Sequence, residues 1–140
     1  MYNINPIIWG PHLWKYLHYL TLAYPDSPPL ETQMLYKDFF LNLHNFIPCE
    51  KCRINYKRHL EELPLTDEIL RSRNSLIRWL FDIHNIVNKE TGKKQLGFDE
   101  FLDIYTQDPE ETKKKKIKRN IIIACAIILI ILLIINKYIL

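Results

Sequence analysis

Cys49-Glu50-Lys51-Cys52 is the residue group best placed to do chemistry in this chain of 140 residues. At helical i, i+3 spacing both sulfurs stand on one side of a turn, within reach of each other. Pro48 directly before them suits a helix start. At such a start, unsatisfied N–H groups and the helix dipole favour a thiolate over a thiol. Lys51 and Arg53 add positive charge. The pair alone leaves three readings open: a redox-active disulfide, half of a zinc site, or inert buried thiols. Zinc takes four ligands. The third cysteine, Cys125, lies in an apolar tail, so His44 and His59 are the nearby candidates to complete a metal site. A thioredoxin fold would need a βαβ context that the sequence lacks.

Two further stretches place histidine among aromatics. In 79–89, Trp-Leu-Phe-Asp-Ile-His-Asn-Ile-Val-Asn-Lys, helical spacing aligns Leu80, Phe81, His84, Val87 and Asn88 with Ile77 on one face. His84 and Asn88 therefore interrupt an apolar stripe and need hydrogen-bond partners. They form either a structural pair satisfied by backbone or polar groups that orient a ligand in an apolar groove. In 9–18, Trp-Gly-Pro-His-Leu-Trp-Lys-Tyr-Leu-His, the residues Trp14, Leu17, His18 and Thr21 share a face. Such a stripe is ordinary core in most proteins. Two of them facing each other would make aromatic walls with imidazole edges, suited to a flat heteroaromatic cofactor.

These residues must be held by helices. The pattern predicts a first helix over 10–23, opened by Pro11 and stopped by Pro25. A second is expected over 30–46 and a third from Pro48-Cys49 to Leu63. A fourth starts near Thr66 or after Ser72 and ends at Gly92, a C-terminal cap. A short fifth covers 98–105. Strand signals are nearly absent. The expectation is an all-α fold, a four-helix bundle with a short fifth helix, whose thin core would gain from a cofactor, disulfide or second copy.

The length allows one domain and excludes barrels and repeat arrays. The net charge of +3 conceals an asymmetry: residues 1–112 carry 12 Lys/Arg and all 16 acids, while 113–140 carry seven Lys/Arg and no acid. A mildly acidic domain lacks the basic face that nucleic-acid binding requires. Residues 121–135 are uninterruptedly apolar, and counting on to Leu140 gives about 30 Å of helix, the thickness of a bilayer core. Lys113 to Lys116, Lys118 and Arg119 precede them, and such charge stays on the cytoplasmic side. The expected organisation is a domain over 1–108, a basic juxtamembrane linker over 109–119, and a C-terminal transmembrane helix over 120–140 acting as a tail anchor. With that charge beside the span, the domain is expected to face the cytosol, and Met1 to Pro6 shows no signal-peptide pattern.

Taken together, W-G-P-H-L-W-K-Y-L-H at 9–18, A-Y-P at 23–25, P-C-E-K-C at 48–52 and W-L-F-D-I-H-N-I-V-N-K at 79–89 with G-K at 92–93 resemble the Erv/ALR family of FAD-linked sulfhydryl oxidases. The resemblance covers about 8–105. It implies a bundle that binds FAD, with the C-x-x-C disulfide against the flavin, and commonly a homodimer. By position, Cys52 resembles the flavin-proximal sulfur and Cys49 the one attacked by a substrate thiolate. Gly10, Trp14, His18 and Tyr24 resemble flavin-site positions of the first helix. Trp79, His84, Asn85, Val87 and Asn88 resemble those of the fourth, and Lys93 a position near phosphate or ribose. The implied reaction is oxidation of a protein dithiol by exchange, with electrons passing to FAD and then to O2 as H2O2. No metal is implied.

Many members carry a shuttle cysteine pair and another bracing the fifth helix; this sequence has neither. It is therefore expected to oxidise a thiol-containing partner directly, with a thioredoxin-like protein as the reasonable substrate. A late aromatic of the family's flavin site has no clear match, with Phe98 or Tyr105 as substitutes. The stripped-down form resembles versions encoded by large DNA viruses, which fits an anchor in a cellular or viral membrane. The alternative is a tail-anchored, non-enzymatic adapter with a zinc-binding C-x-x-C.

Overall fold

The computed structural model describes residues 4–107 and 109–139, apart from the side chains of 109, 111, 112, 115, 129, 132 and 135–139. Helix α1 is Pro6–Leu22, α2 is Leu30–Asn42, α3 is Glu50–Glu62, α4 is Arg73–Glu90, α5 is Phe98–Thr106 and α6 is Pro109–Ile139. Two single 3-10 turns, Leu43–Phe46 and Ile69–Arg71, finish the connections. There is no strand among the described residues. The all-α expectation therefore holds.

Capping chemistry sets the boundaries. The Asn5 side chain accepts a hydrogen bond from the Ile7 N–H at 3.0 Å, and Pro6 occupies the first helical position. The expected start near Gly10 is thus four residues too late. Pro11 lies inside α1 and forgoes the bond to the Ile7 carbonyl, at an exposed position where water can replace it. Ser72 caps α4 by accepting from the Ser75 N–H at 3.2 Å, which selects the later of the two expected starts. Gly92 follows the end of α4 with φ of 68°, the left-handed conformation that a glycine adopts at low cost. The second expected helix splits because its last four residues tighten into the 3-10 turn.

The chain falls into two compact units, Met1–Phe101 and Leu102–Leu140, divided within α5. In the first, α4 supplies more of the core than any other helix and packs along α1. Leu17, Phe40, Leu70, Leu76, Leu80 and Ile83 are fully enclosed. Buried polar groups are tied to backbone. The Tyr56 hydroxyl donates to the Phe40 carbonyl at 3.0 Å, joining α3 to α2. The Tyr24 hydroxyl donates to the Leu70 carbonyl at 2.8 Å, and the Arg73 guanidinium donates back to the Tyr24 carbonyl.

The second unit is dominated by α6, 31 residues long, which takes in both the basic segment and the apolar run. Its described apolar side chains, Ile121 to Ile123 among them, are exposed. Among the described residues no helix is long and apolar enough to cross a membrane, so the spanning segment expected over 120–140 is not borne out there. Part of that segment lies outside the described residues.

Tyr56→Phe should leave the Phe40 carbonyl buried without its donor. It should destabilise the fold by about 1–3 kcal/mol with an unchanged helical spectrum, read from urea unfolding midpoints.

Candidate functional site

Cys49 and Cys52 form a disulfide, with Cα atoms 5.1 Å apart. Cys49 is the N-cap of α3, with extended backbone, and its sulfur accepts the Cys52 N–H at 3.2 Å. The expected placement at a helix start is therefore realised with Cys49 half outside the helix. Both cysteines are half-buried and pack against the central core. Arg53 donates from its guanidinium to the Ile47 carbonyl, locking the strand-like approach to the disulfide onto the first turn of α3. Nothing in the spacing of Arg53 flagged that role beyond its charge.

The two histidine stripes do meet. His18 Nε2 and His84 Nδ1 are 2.8 Å apart, so α1 and α4 share one hydrogen bond between imidazoles. Trp14 stacks on His84 at 4.1 Å between ring centroids and 7° between planes. His18 is fully enclosed, and His84 is half-buried. Burial, then the neighbouring His84, pushes the pKa of His18 down to about 3. Burial, then the Lys93 charge, pushes that of His84 down to about 4. Both imidazoles are neutral at pH 7, and a single hydrogen occupies the contact between them. Phe101 packs on His18 at 4.6 Å, and Phe98 packs on Phe81 and Phe101. The late aromatic position has Phe98 and Tyr105 as its candidates, and Phe101, one turn on from Phe98, packs on His18 as well. Its helical spacing from Phe98 was the available signal.

The remaining expected positions divide. Lys93 is exposed, and its backbone N–H donates to the Asn88 carbonyl at 2.8 Å, holding it beside the end of α4. Asn88 is buried and Val87 half-buried. Asn85 holds the following loop, donating to the Leu96 carbonyl and accepting the Leu96 N–H, both at 3.0 Å. A Cβ added at Gly10 would meet nothing within 4 Å, so the surface one turn before Trp14 is open. Tyr24 and Trp79 make their described ring contacts with core aromatics. Trp79 stands edge-on to Phe40 in the core and donates to the Leu63 carbonyl at 3.0 Å. Tyr24 meets Tyr36 at a tilt of 53°, with ring centroids 4.5 Å apart.

The zinc reading finds no support. His44 Nδ1 lies 2.8 Å from the Leu41 carbonyl, and His59 Nε2 lies 3.0 Å from Glu90. Among the described residues no group of three or more His, Cys, Asp or Glu could hold a metal ion.

The profile of the Erv1 / Alr family matches residues 11–109. A probable FAD-linked sulfhydryl oxidase of Acanthamoeba polyphaga mimivirus is 45% identical over 100 residues, 71% of this chain and 70% of that protein. The chain belongs to the Erv1/Alr family. An FAD-linked sulfhydryl oxidase of African swine fever virus is 32% identical over 99 residues, covering 71% of this chain and 81% of its own. The crystal structure of the yeast Erv1 core superposes with a TM-score of 0.65 at 23% identity, over 76% of this chain and 90% of that one. The yeast comparison establishes the Erv1 fold, and the helical bundle of the first unit is that fold.

For an Erv1-type bundle joined by neutral imidazoles, acid should be destabilising. The unfolded chain binds protons at both histidines below 6.5, whereas the folded chain resists until about 4 and about 3. Stability is fully present above 6.5 and is lost progressively as pH falls. Carboxylates such as Glu90, held low by Arg58, titrate below the ordinary 4.5. Urea midpoints should therefore already fall between pH 6.5 and 4.5, and His84→Gln should flatten that slope.

Proposed function

We propose that this protein is an FAD-dependent sulfhydryl oxidase that forms disulfides in protein substrates through Cys49 and Cys52. The observation that carries the reading is the closed disulfide at the start of α3, packed on the same core as Trp14, whose ring covers the imidazole pair. The relatives named above are FAD-linked sulfhydryl oxidases.

The residues fit a flavin. Trp14 and His84 already pack as parallel rings, so the site favours stacking of a flat heteroaromatic system. The imidazoles are neutral, so they offer one donor and one acceptor without opposing charge. Lys93 is exposed at the rim and suits a phosphate or ribose oxygen. Gly10, Trp14, His18, His84, Asn85, Val87, Asn88 and Lys93 would hold FAD, with Tyr24 and Trp79 supporting from the core. When bound, FAD supplies the route by which the electron pair of the reduced cysteine pair reaches O2, giving H2O2.

The exchange belongs to the chain's own sulfurs. A substrate thiolate attacks Cys49, the Cys49–Cys52 bond breaks, and a mixed disulfide forms while Cys52 leaves as thiolate. The second substrate thiolate then attacks the substrate sulfur of that mixed disulfide. Its product is a substrate disulfide, and the electron pair now rests on Cys49 and Cys52. The Cys52 N–H steadies a thiolate at Cys49, which favours the reduced pair and makes the disulfide a better oxidant. The substrate class is a protein dithiol, such as a thioredoxin-like partner with its own C-x-x-C.

Two further parts complete the reading. A second copy covers the exposed apolar faces of α1, with Ile7 and Ile8, and of α2, with Leu30, Met34 and Leu35. The apolar run 121–135, with the lysines before it, anchors the chain in a cellular or viral membrane with the oxidase domain on the cytosolic side. The support is the uninterrupted apolar sequence and the exposure of its described side chains.

Purified protein should show flavin absorption bands that bleach with dithiothreitol and recover as oxygen is consumed. Cys49→Ser and Cys52→Ser should each keep the bands and lose at least about a hundredfold in dithiol oxidation, and substantial turnover in either would reject the exchange mechanism. His84→Ala should lower both flavin content and thermal midpoint. Residues 1–108 expressed alone should leave the membrane fraction that the full chain occupies; equal partition of the two would remove the anchor.

A further inference from the structure

We infer that Phe46 is a docking residue for the substrate chain, seating an apolar side chain that lies beside the substrate's reactive cysteine. This inference rests on the thiol-oxidase reading and adds to it a specificity element.

Phe46 ends the 3-10 turn Leu43–Phe46, three residues before Cys49. The backbone from there is extended, with φ −70° and ψ 124° at Ile47 and φ −123° and ψ 119° at Cys49. Extended backbone sends successive side chains to opposite sides. Ile47 accordingly enters the core, 5% exposed, while Phe46 faces solvent at 79%, the highest exposure of any large hydrophobic residue described. Pro48 beside it is exposed as well. The segment is held in place, because the Ile47 carbonyl receives the Arg53 guanidinium. Phe46 is thus a fixed, outward aromatic whose Cα lies at most about 10 Å along the chain from that of Cys49.

That position commits the occupant. For a sulfur–sulfur bond to form at Cys49, the substrate backbone must cross the surface next to Cys49. The exposed apolar residues that flank the disulfide in sequence are Phe46 and Pro48 before Cys49 and Ile54, 62% exposed on α3, after Cys52. Phe46 is the most exposed of them and the one aromatic; the others named above lie on α1 and α2, away in sequence from the disulfide. An exposed aromatic next to a reacting atom loses water when an apolar side chain covers it, and aromatic residues are typical anchors of such contacts. The partner is therefore an extended dithiol segment with a large apolar residue close to its reactive cysteine. A segment with polar residues there gains nothing from the ring.

The test uses the full chain with bound flavin, in detergent, and two synthetic dithiol peptides. The peptides differ only in carrying phenylalanine or serine two positions before the first cysteine. The reading is the ratio of kcat/KM for the two, with dithiothreitol turnover as the common reference. The expected wild-type ratio is roughly tenfold in favour of the apolar peptide, and Phe46→Ser should bring it towards one. A wild-type ratio near one, or a ratio preserved in Phe46→Ser, overturns the docking role while dithiothreitol oxidation still upholds the oxidase. A preserved ratio with loss of the dimer on gel filtration assigns the ring to a second copy, and likewise overturns it. A wild type that oxidises no thiol at all rejects the thiol-oxidase reading and the docking role with it.

Discussion

One hydrogen bond between an enclosed and a half-buried imidazole ties the fold to its site. His18 and His84 come from helices at opposite ends of the first unit's sequence, 66 residues apart, and their contact at 2.8 Å joins α1 to α4. At least one ring must be neutral for it to exist, because two imidazolium groups would set N–H against N–H, and the surroundings disfavour charge on either. Burial achieves that neutrality. Trp14 covers the face of His84, and Phe101 packs on His18. The same aromatic cover that stabilises the contact leaves a flat, parallel-ring surface at Trp14 and His84. Stability and ligand-binding capacity therefore share one cause, and a change that rehydrates the pair disturbs both.

The disulfide depends on a different device. A C-x-x-C within a helix would have both sulfurs on the turn, but here the first cysteine is the cap rather than a helical residue. An N-cap side chain points back at the free N–H groups of the first turn. Cys49 therefore has a donor already aimed at its sulfur. Pro48 cannot extend the helix backwards through a backbone donor, and Arg53 fixes the approach from the other side. Local chain geometry, not distant packing, makes this end of α3 electrophilic when oxidised and tolerant of negative charge when reduced.

Much of this was legible in the residues. The C-x-x-C and the α4 stripe were readable because both are local: spacing alone puts sulfurs on one turn and His84 and Asn88 on one face. The meeting of the two histidine stripes was readable because each was anomalous as plain core. What escaped was long-range. Trp79 and Tyr24 match site positions of the family, and their polar atoms are held by the carbonyls of Leu63 and Leu70, contacts that no periodicity could reveal. The start of α1 was misplaced because Pro11 is a strong local signal, and the competing Asn5–Pro6 cap lies in a stretch with no apolar rhythm. Phe101 was passed over because its role is set by contact with His18, on a helix far away in sequence.

The charge distribution gives the tail a meaning independent of the bundle. All the acids fall before residue 113, and the seven cations after it face no acid in their own segment. A run of like charges on one helix is self-repulsive, and i, i+4 repeats of lysine weaken it further. Residues 113–119 are nonetheless helical and lead without a break into the apolar run of α6. Water alone is a poor solvent for that combination, since one half repels itself and the other exposes isoleucine after isoleucine. The anchor proposed above would relieve both at once: anionic headgroups would neutralise the lysines, and the acyl region would take the isoleucines. The bundle, with its mildly acidic surface, would be repelled by those same headgroups.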